Sequence, residues 1–454
     1  MNSDTGDARG RLNRLNLAIL VGFGLIAVAL IYWSIFRGES ILGRLDNPRL
    51  VEAELRVQRG TILDANDVPL AYTSGEGAEL QREYPLAGAA PVVGYYSVRH
   101  GTAGIEQAFD AQLRGTAPDY WSEFWQSEVL GEPKIGRDVR LTLDSRWQAK
   151  ADELLGVKNG AVFLFSLPDV AVRAMASRPG YDANRLDAEF EKLVADEQAP
   201  LVNRVTQGQY QPGLLLQPFL LAVGQRDSRL ELSDLVVTRA GEVMVDGFTL
   251  TCQESVAEAM TWAAAMVARC PEPMLELAEK MSKSELSNAI DAFGLLSQPF
   301  LPITTEGVGS LDTSDARLAV IGQASASVSP LQVGLALAAL ANGGQFKQAQ
   351  MIQATQDAEG IWSAERAEET SYQVVPADVA TGILDLFSEF DGIAEHDLFV
   401  LSGPKGEKNS WYLGLAPASN PRYGVVVVIE NDDDTSSART VGRALLKDVL
   451  DPSA

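Results

Sequence analysis

Few residues in this sequence have the types and spacing that nucleophilic catalysis needs. Ser402 and Lys405 form a Ser-x-x-Lys, and no other one occurs in the chain. On a helix, this spacing would place the lysine on the same face as the serine, where it could accept the hydroxyl proton. Gly403 and Pro404 stand between them. Because the residue before a proline avoids the helical region, we do not expect this pair to act as nucleophile and base.

A second stretch resembles the approach to an active-site helix. Residues 203–224 read NRVTQGQYQPGLLLQPFLLAVG, in which a Pro-Gly turn precedes an apolar helical pattern. The residues past that turn are Leu214 and, three positions on, Gln217. Leucine carries no nucleophile, and a glutamine amide is not a base near neutral pH. We expect a helix that starts at Leu214 and whose first turn serves packing.

Metal and cofactor chemistry is not indicated. The chain has two cysteines, Cys252 and Cys270, and two histidines, His100 and His396, and all four are scattered. That set does not predict a structural zinc site, and we expect no cofactor. The two cysteines form either a disulfide or two buried free thiols. An extracytoplasmic location would favour the disulfide, because that compartment is oxidising.

One segment predicts membrane attachment. Residues 15–36 carry no charge and are long enough to cross a bilayer as one helix, which needs about 20 apolar residues. A cleaved signal peptide is the alternative, but the residues that follow offer no convincing cleavage site. Arginines flank both ends, so charge says little about orientation. We expect a cytoplasmic tail over residues 1–14, a single span over 15–36 and the bulk of the chain outside the cytoplasm.

Composition narrows the classes of function. The 454 residues are 46% hydrophobic and 22% charged, which is typical of a folded protein. The net charge of −24 argues against nucleic-acid binding, because phosphate recognition needs a basic surface.

The elements that would position a site can be read from periodicity. Strands are predicted within residues 51–73, at 138–144, on both sides of Leu167-Pro168-Asp169, and as a hairpin joined through 418–421. Helical patterns dominate residues 214–281 and 331–341, and a final helix should start after the hydroxyls of residues 435–437. Trp121 and Trp125 would share one face of a further helix. Strands at both ends with helices between predict an α+β fold.

Several segments in order resemble the class B penicillin-binding proteins. They include RGTILDANDVPLAY from Arg59, GYYSVRHGTAGIEQAFDAQLRG from Gly94, MASRPGYDANRL from Met175 and IGQASASVSPLQVGLALAALANGG from Ile321. The resemblance covers nearly the whole chain after residue 58 and is closest to short members of the penicillin-binding protein A type. It implies an antiparallel sheet flanked by helices, a helical subdomain and a small N-terminal pedestal. We expect the pedestal, a dimerisation-like domain, over residues 37–135 and the transpeptidase-like domain over 136–454.

The family's chemistry depends on three motifs, and none is intact here. Leu214 and Gln217 stand where the resemblance places the serine and lysine of Ser-x-x-Lys. Arg269 and Pro271 stand at Ser-x-Asn, and Pro404 and Lys405 stand at Lys-Thr/Ser-Gly. Cys252 and Cys270 resemble a cysteine pair of some relatives, which favours the disulfide.

Three hypotheses of function remain open. The first is a catalytically inactive homologue that binds cell-wall synthesis or division proteins, with stem peptide as a further ligand. The second is a D,D-transpeptidase that cross-links peptidoglycan with unorthodox residues. The third is a structural envelope protein with no link to peptidoglycan. The failure of all three motifs in an otherwise retained scaffold favours the first.

Overall fold

The computed structural model describes most of the chain. The described residues are 4–36, 57–75, 80–115, 135–237, 242–245, 247–257, 259–307, 315–323, 326–365, 371–402 and 406–451. The predicted Trp121 and Trp125 pair and the positions Pro404 and Lys405 lie outside these ranges. Contacts divide the chain into one unit of residues 1–57 and 76–80 and a second unit of residues 58–75 and 81–454.

The first unit contains the helix Asp4–Phe36, which includes the segment expected to cross the membrane. Where side chains of this helix are described, the large apolar ones are exposed, among them Leu20, Phe23 and Leu25. Within the described residues, no helix has both the length and the apolar character that crossing a membrane requires. The transmembrane prediction is therefore not confirmed by the structure.

The second unit is built around a central sheet of six antiparallel strands. Their spatial order is Ser388–Phe390, Ile393–Ser402, Glu407–Ala416, Tyr423–Ile429, Gly160–Ser166 and Ala171–Arg178. The two hairpins expected from the sequence are confirmed as neighbours in this sheet. Val425, Val426, Val427 and Val428 are fully buried, which explains why this strand is continuously apolar and does not alternate.

Helices cover both faces of the central sheet. Successive residues of a strand point to opposite faces, so the buried strands present apolar side chains to the helices on each side. Val162 and Leu164 pack in one cluster with Leu445 of the helix Thr435–Leu450, and the helix Ser145–Leu155 lies on the same face. Phe163 belongs to the larger core on the other face, where it contacts Gly334 of the helix Pro330–Ala341. The expected α+β layering is confirmed.

A second six-stranded sheet combines strands from three separate parts of this unit, residues 62–83, 139–141 and 352–364. Its order is Trp362–Ala364, Ile352–Gln356, Val139–Leu141, Ile62–Leu63, Pro69–Ser74 and Gln81–Glu83. Ile62–Leu63 pairs in parallel with Val139–Arg140. Nearby, the fully buried Glu106 carboxylate accepts hydrogen bonds from Arg59 Nη2 at 2.8 Å and Arg82 Nε at 2.6 Å. Strands 62–63 and 139–141 therefore share one sheet, although they stand on opposite sides of the expected boundary at residue 135.

Shorter elements complete the second unit. The remaining α-helices are Ala90–Val93, Gly104–Ala108, Asp110–Leu113, Leu186–Ala195, Gln217–Arg226, Trp262–Val267, Pro271–Lys280, Lys283–Asp291, Ala316–Val320 and Ala377–Leu384. Short 3-10 helices occupy Ala87–Ala89, Ala183–Arg185 and Gly213–Leu216, and short paired strands occupy Tyr95–Ser97, Gly101–Ala103, Gln345–Phe346 and Tyr372–Gln373.

Two expectations about elements outside the Gly213 turn are wrong. The described residues between 235 and 261 are not helical, and they include the strands Leu235–Val237, Glu242–Val245, Phe248–Thr251 and Ala259–Thr261. The sequence VMVDGFTLT contained the signal, because Asp-Gly between alternating β-formers favours a tight hairpin turn. The final helix is capped by the Asp434 carboxylate, which accepts from Ser436 N–H, and not by a hydroxyl of residues 435–437.

Candidate functional site

The turn at Gly213 brings the segment that contains Leu214 and Gln217 against the central sheet. Gly213 has φ +53°, and a Cβ there would lie 2.6 Å from Val400 Cγ1. Its N–H donates to Gly322 O at 3.1 Å, which fixes the turn from the other side. Only glycine combines this backbone conformation with so close an approach. The α-helix then starts at Gln217, after the 3-10 turn, and not at Leu214 as expected.

Leu214 and Gln217 are both withdrawn from solvent. Leu214 is 8% exposed, and Gln217 is 0% exposed. The Gln217 Nε2 donates to Ala265 O at 3.3 Å, and within the described chain its Oε1 has no hydrogen-bond partner. An amide in this position cannot remove a proton, and the leucine beside it has no group to donate one.

Arg269 lies against the same sheet from the segment that follows the helix Trp262–Val267. It is 7% exposed, and its Nε donates to Asp397 O at 2.5 Å. Its Nη2 contacts Asp397 Oδ1 at 3.2 Å, and its Nη1 contacts Glu254 Oε1 at 2.6 Å. The guanidinium thereby ties this segment both to the strand Ile393–Ser402 and to Glu254. It offers a fixed positive charge there and no nucleophile.

Pro271 has a local structural role. It is the first residue of the helix Pro271–Lys280, with Cys270 as the N-cap residue. Proline suits this position, because its missing N–H would have no partner inside the helix. Cys270 and Cys252 are joined by a disulfide across an 18-residue separation.

His396 lies next to this arginine in the sheet. Complete burial, with a smaller effect of the Arg269 charge, lowers its pKa to about 3. Its Nε2 is buried without a hydrogen-bond partner among the described residues. Its ring centroid lies 5.3 Å from that of Phe387. The imidazole is therefore neutral at physiological pH, and it packs as part of the core.

The third motif is only partly described. Ser402 ends the strand Ile393–Ser402, and so it has extended backbone, which argues against a helical Ser-x-x-Lys with Lys405. Gly406 follows with φ +75°, and a Cβ there would lie 2.2 Å from Phe248 Cε1. The hairpin formed by Glu242–Val245 and Phe248–Thr251 therefore reaches over the start of the strand Glu407–Ala416.

These segments enclose a cleft of about 260 Å³. We call it the cleft below. Its lining is mainly apolar, with Leu214, Phe248, Leu250, Ile321, Phe399, Val400 and Leu401. Gln253, Gln323, Thr249 and Thr251 add neutral polar groups, and Lys408 is the one charged side chain among the described residues that line it. The structure thus brings Leu214 and the end of the strand Ile393–Ser402 into one cleft, whereas Arg269 and Gln217 are buried and are not among its lining residues.

The approach segment, residues 203–213, is anchored by Glu430, a residue that the sequence did not indicate. Arg204 Nε and Tyr210 OH both donate to Glu430 Oε1, at 2.8 and 2.7 Å. Burial, and then the Glu430 carboxylate, raise the pKa of Tyr210 well above its ordinary value. Asn203 Nδ2 donates to Pro91 O at 2.9 Å. Glu430 lies 220 residues from Tyr210 in sequence, so no local pattern could have predicted the contact.

In the described part of the chain, no group of three or more His, Cys, Asp or Glu side chains is arranged to hold a metal ion.

Comparison with known proteins gives consistent matches. The penicillin-binding protein transpeptidase domain matches residues 160–389, and the penicillin-binding protein A dimerisation domain matches residues 59–139. A peptidoglycan D,D-transpeptidase PbpA from Mycolicibacterium smegmatis is 25% identical, over 97% of this chain and 98% of its own length.

Solved structures agree on the fold. Penicillin-binding protein A from M. tuberculosis, as an imipenem acyl-enzyme complex, matches with a TM-score of 0.77 and 24% identity, over 88% of this chain and 99% of that one. The D,D-transpeptidase domain of a peptidoglycan glycosyltransferase from Eggerthella lenta matches with a TM-score of 0.75 and 25% identity, over 87% and 98%. The chain therefore belongs to the penicillin-binding protein transpeptidase-domain family, as a class B member that resembles penicillin-binding protein A.

Proposed function

We propose that this chain is a catalytically inactive penicillin-binding protein that acts by binding partners in peptidoglycan synthesis or division. The observation that carries the proposal is the pair Leu214 and Gln217, which we assign to the positions of the catalytic serine and lysine. Neither can form or assist an acyl-enzyme, and both are buried. The matched M. smegmatis relative is named a D,D-transpeptidase, which supports a setting in peptidoglycan synthesis.

The other two motifs support the same reading. We assign Arg269 and Pro271 to the Ser-x-Asn positions, and Pro404 and Lys405 to the Lys-Thr/Ser-Gly positions. Arg269 is committed to Asp397 and Glu254, and Pro271 starts a helix, so neither is free to orient a substrate. Arg204 and Tyr210 still anchor the approach segment through their hydrogen bonds to Glu430. Loss of chemistry with retention of scaffold favours a binding function.

Membrane attachment is part of the proposal. We infer a cytoplasmic tail over residues 1–14 and one span over residues 15–36, with the remainder outside the cytoplasm. The uncharged sequence of that segment supports this topology. The Cys252–Cys270 disulfide is consistent with an oxidising compartment. We also propose residues 37–135 as the pedestal and 136–454 as the transpeptidase-like domain.

Acylation by a fluorescent penicillin tests inactivity. The full chain, purified in detergent, is incubated with the reagent beside penicillin-binding protein A of M. tuberculosis, for which a penicillin G acyl-enzyme structure is known. We expect the control to be labelled covalently and this chain to remain unlabelled. Covalent labelling of this chain would establish an enzyme with unorthodox residues and overturn the proposal.

Partner binding needs a separate measurement. We expect the full chain to capture a cell-wall polymerase or division protein from detergent-solubilised membranes. Deleting residues 1–36, which removes the inferred tail and span but no strand of the second sheet, tests whether that segment contributes to the capture. If no protein of either class is retained, a structural envelope function unrelated to peptidoglycan becomes the better reading.

A further inference from the structure

A second cavity, of about 410 Å³, lies beside the helix Leu186–Ala195. We call it the helix cavity. The 3-10 turn Ala87–Ala89 and the loop that follows the strand Ala171–Arg178 form its other walls. Among the described residues, none lines both this cavity and the cleft. Its volume is within the range of about 300–1,000 Å³ that is typical of small-molecule sites.

Part of the lining of the helix cavity is apolar. Leu193 lines it from the helix, and Pro179 and Pro200 line it from the loops before and after that helix. Tyr181 is a further lining residue, and its hydroxyl already donates to Ala90 O at 3.2 Å. This part of the lining suits a ligand with an apolar side chain.

Most of the charged lining residues already have partners within the chain. Arg178 forms an ion pair with Asp152, and Arg185 forms one with Glu189. The Asp182 carboxylate accepts a backbone N–H at the start of the next 3-10 helix, at 2.9 Å. These residues therefore leave little charge for a ligand to neutralise.

Lys192 and Asp196 are the exception. Both line the cavity, both are exposed, and within the described part of the chain neither takes part in an ion pair. They lie one helical turn apart, a spacing at which Cβ atoms are about 5–6 Å from each other. Asp196 Oδ1 accepts from Gln198 N–H at 2.9 Å. The helix thus presents an ammonium and a carboxylate to the cavity side by side, each without a countercharge among the described residues.

The helix Leu186–Ala195 has few buried contacts. Of its ten residues, only Leu186 is buried. Ser97 Oγ donates to Asp187 Oδ1 at 2.5 Å, and the ring centroids of His100 and Phe190 lie 3.9 Å apart. Both of these contacts fall in the first half of the helix. Because packing supplies most of the stability of a protein helix, a ligand in the cavity would stabilise the second half.

We propose that the helix cavity binds a small zwitterion with an apolar side chain, either an amino acid or a dipeptide. The carboxylate of the ligand pairs with Lys192, its ammonium pairs with Asp196, and its side chain contacts Leu193. Binding stabilises the second half of the helix by adding contacts to it. This assignment goes beyond the proposed function and does not depend on it, because the cavity and the cleft share no described lining residue.

Hydrogen–deuterium exchange tests both the binding and its location. The full chain in detergent is titrated with L-leucine and, separately, with L-leucyl-L-leucine, and exchange is followed by mass spectrometry. We expect at least one of the two to slow exchange of the backbone amides of residues 186–196, with a saturation that gives its Kd. The ligand with the lower Kd identifies whether the site takes an amino acid or a dipeptide.

Two analogues test the need for both charges. L-leucinamide lacks the carboxylate, and N-acetyl-L-leucine lacks the ammonium. The Kd of each should be about fivefold higher than that of L-leucine, as the loss of one exposed ion pair predicts. The corresponding analogues of the dipeptide serve if the dipeptide binds more tightly.

Variants of the chain assign each charge to its partner. Lys192→Gln and Asp196→Asn should each raise the Kd about fivefold. Lys192→Gln should also remove the difference between L-leucine and L-leucinamide, and Asp196→Asn the difference between L-leucine and N-acetyl-L-leucine. All the substituted residues are exposed, so we expect folded variants. Glu191→Gln and Lys283→Gln, at exposed residues outside the lining, should leave the Kd unchanged.

Four results would overturn the assignment. The first is that neither ligand slows exchange of residues 186–196. The second is an equal Kd for L-leucine and both of its analogues, and the third is an unchanged Kd in both Lys192→Gln and Asp196→Asn. The fourth is equal protection by inorganic phosphate, which would indicate a simple anion site at Lys192.

Discussion

Arg269 and Asp397 are joined through two different groups of the aspartate, its backbone oxygen at 2.5 Å and its carboxylate at 3.2 Å. The arginine also has φ +53°, a backbone conformation that residues other than glycine rarely adopt. Arg269 holds this conformation at a position that we assign to the Ser-x-Asn motif. Its side-chain contacts therefore outweigh the free-energy cost of the strained backbone. The segment that contains Arg269 is thus held to the sheet by an ion pair.

Removing this arginine should therefore destabilise the fold. We expect Arg269→Ser to lower the free energy of unfolding by about 2 kcal/mol, because the buried Asp397 then keeps only its longer ion pair with Arg439, at 3.5 Å. Arg269→Gly should cost less than Arg269→Ser, since glycine adopts positive φ without strain. Urea unfolding of the full chain in detergent measures both.

The matched control for Arg269 is Arg229→Ser. Arg229 pairs with Glu285 at a largely exposed position, where an ion pair contributes less than about 1 kcal/mol. Equal losses for Arg229→Ser and Arg269→Ser would mean that burial at Arg269 contributes nothing.

Restoring the first motif should not restore acylation. The double variant Leu214→Ser with Gln217→Lys supplies the serine and lysine, but Arg269 and Pro271 still occupy the positions that we assign to the second motif. Gln217 is completely buried, so Gln217→Lys alone should lower the free energy of unfolding by about 3–5 kcal/mol unless the lysine is neutral. Labelling of the full chain with a fluorescent penicillin measures acylation, and urea unfolding measures the change in stability.

Gln217→Met separates charge from shape at that position. It removes the bond to Ala265 O together with the Oε1 that lacks a described partner, and so it should change stability by less than about 1 kcal/mol. Covalent labelling of the double variant would show that the second and third motifs are dispensable, and would contradict this account.

The close approach of Gly213 to Val400 gives a third prediction. Gly213→Ala must hold a methyl group 2.6 Å from Val400 Cγ1 at positive φ, and we expect a loss of about 2–4 kcal/mol in the free energy of unfolding. Gly101→Ala meets the same backbone strain at φ +80°, with no atom within 4 Å. It should cost about 1 kcal/mol. If Gly213→Ala lowers the free energy of unfolding no more than Gly101→Ala does, the close approach to Val400 contributes nothing and this prediction is refuted.

Local patterns predicted the layers of this molecule better than its cleft. The hairpin after Gly160 and the valine-rich strand from Tyr423 were visible because burial on a sheet imposes period and composition on neighbouring residues. The cleft depends on contacts such as Gln253 with Phe399, 146 residues apart, which no local period encodes. The strands of residues 235–261 were missed for another reason. Apolar runs of three or four residues suit a helix as well as a strand, and the Asp-Gly turn that decides between them was not used.

His396 predicts how stability depends on pH. Its pKa falls from 6.5 to about 3 on folding, chiefly because burial disfavours the charged imidazolium. Below pH 6.5 the unfolded chain binds a proton that the folded chain does not, so this histidine contributes stability at neutral pH that is lost as pH falls toward 3. The slope for one proton is about 1.4 kcal/mol per pH unit.

Replacing His396 isolates that contribution from the many carboxylates of this acidic chain. We expect His396→Phe, which keeps a ring beside Phe387, to have a flatter decline of the free energy of unfolding between pH 6.5 and 4 than the parent chain. His100→Phe is the matched substitution at the other histidine. Urea unfolding at each pH gives the free energy of unfolding of the parent chain and of His396→Phe. The parent value minus the variant value should fall by about 1.4 kcal/mol for each pH unit below 6.5. A difference that stays constant with pH would mean that His396 is protonated in the folded chain, and that the sheet beside Arg269 tolerates a second positive charge.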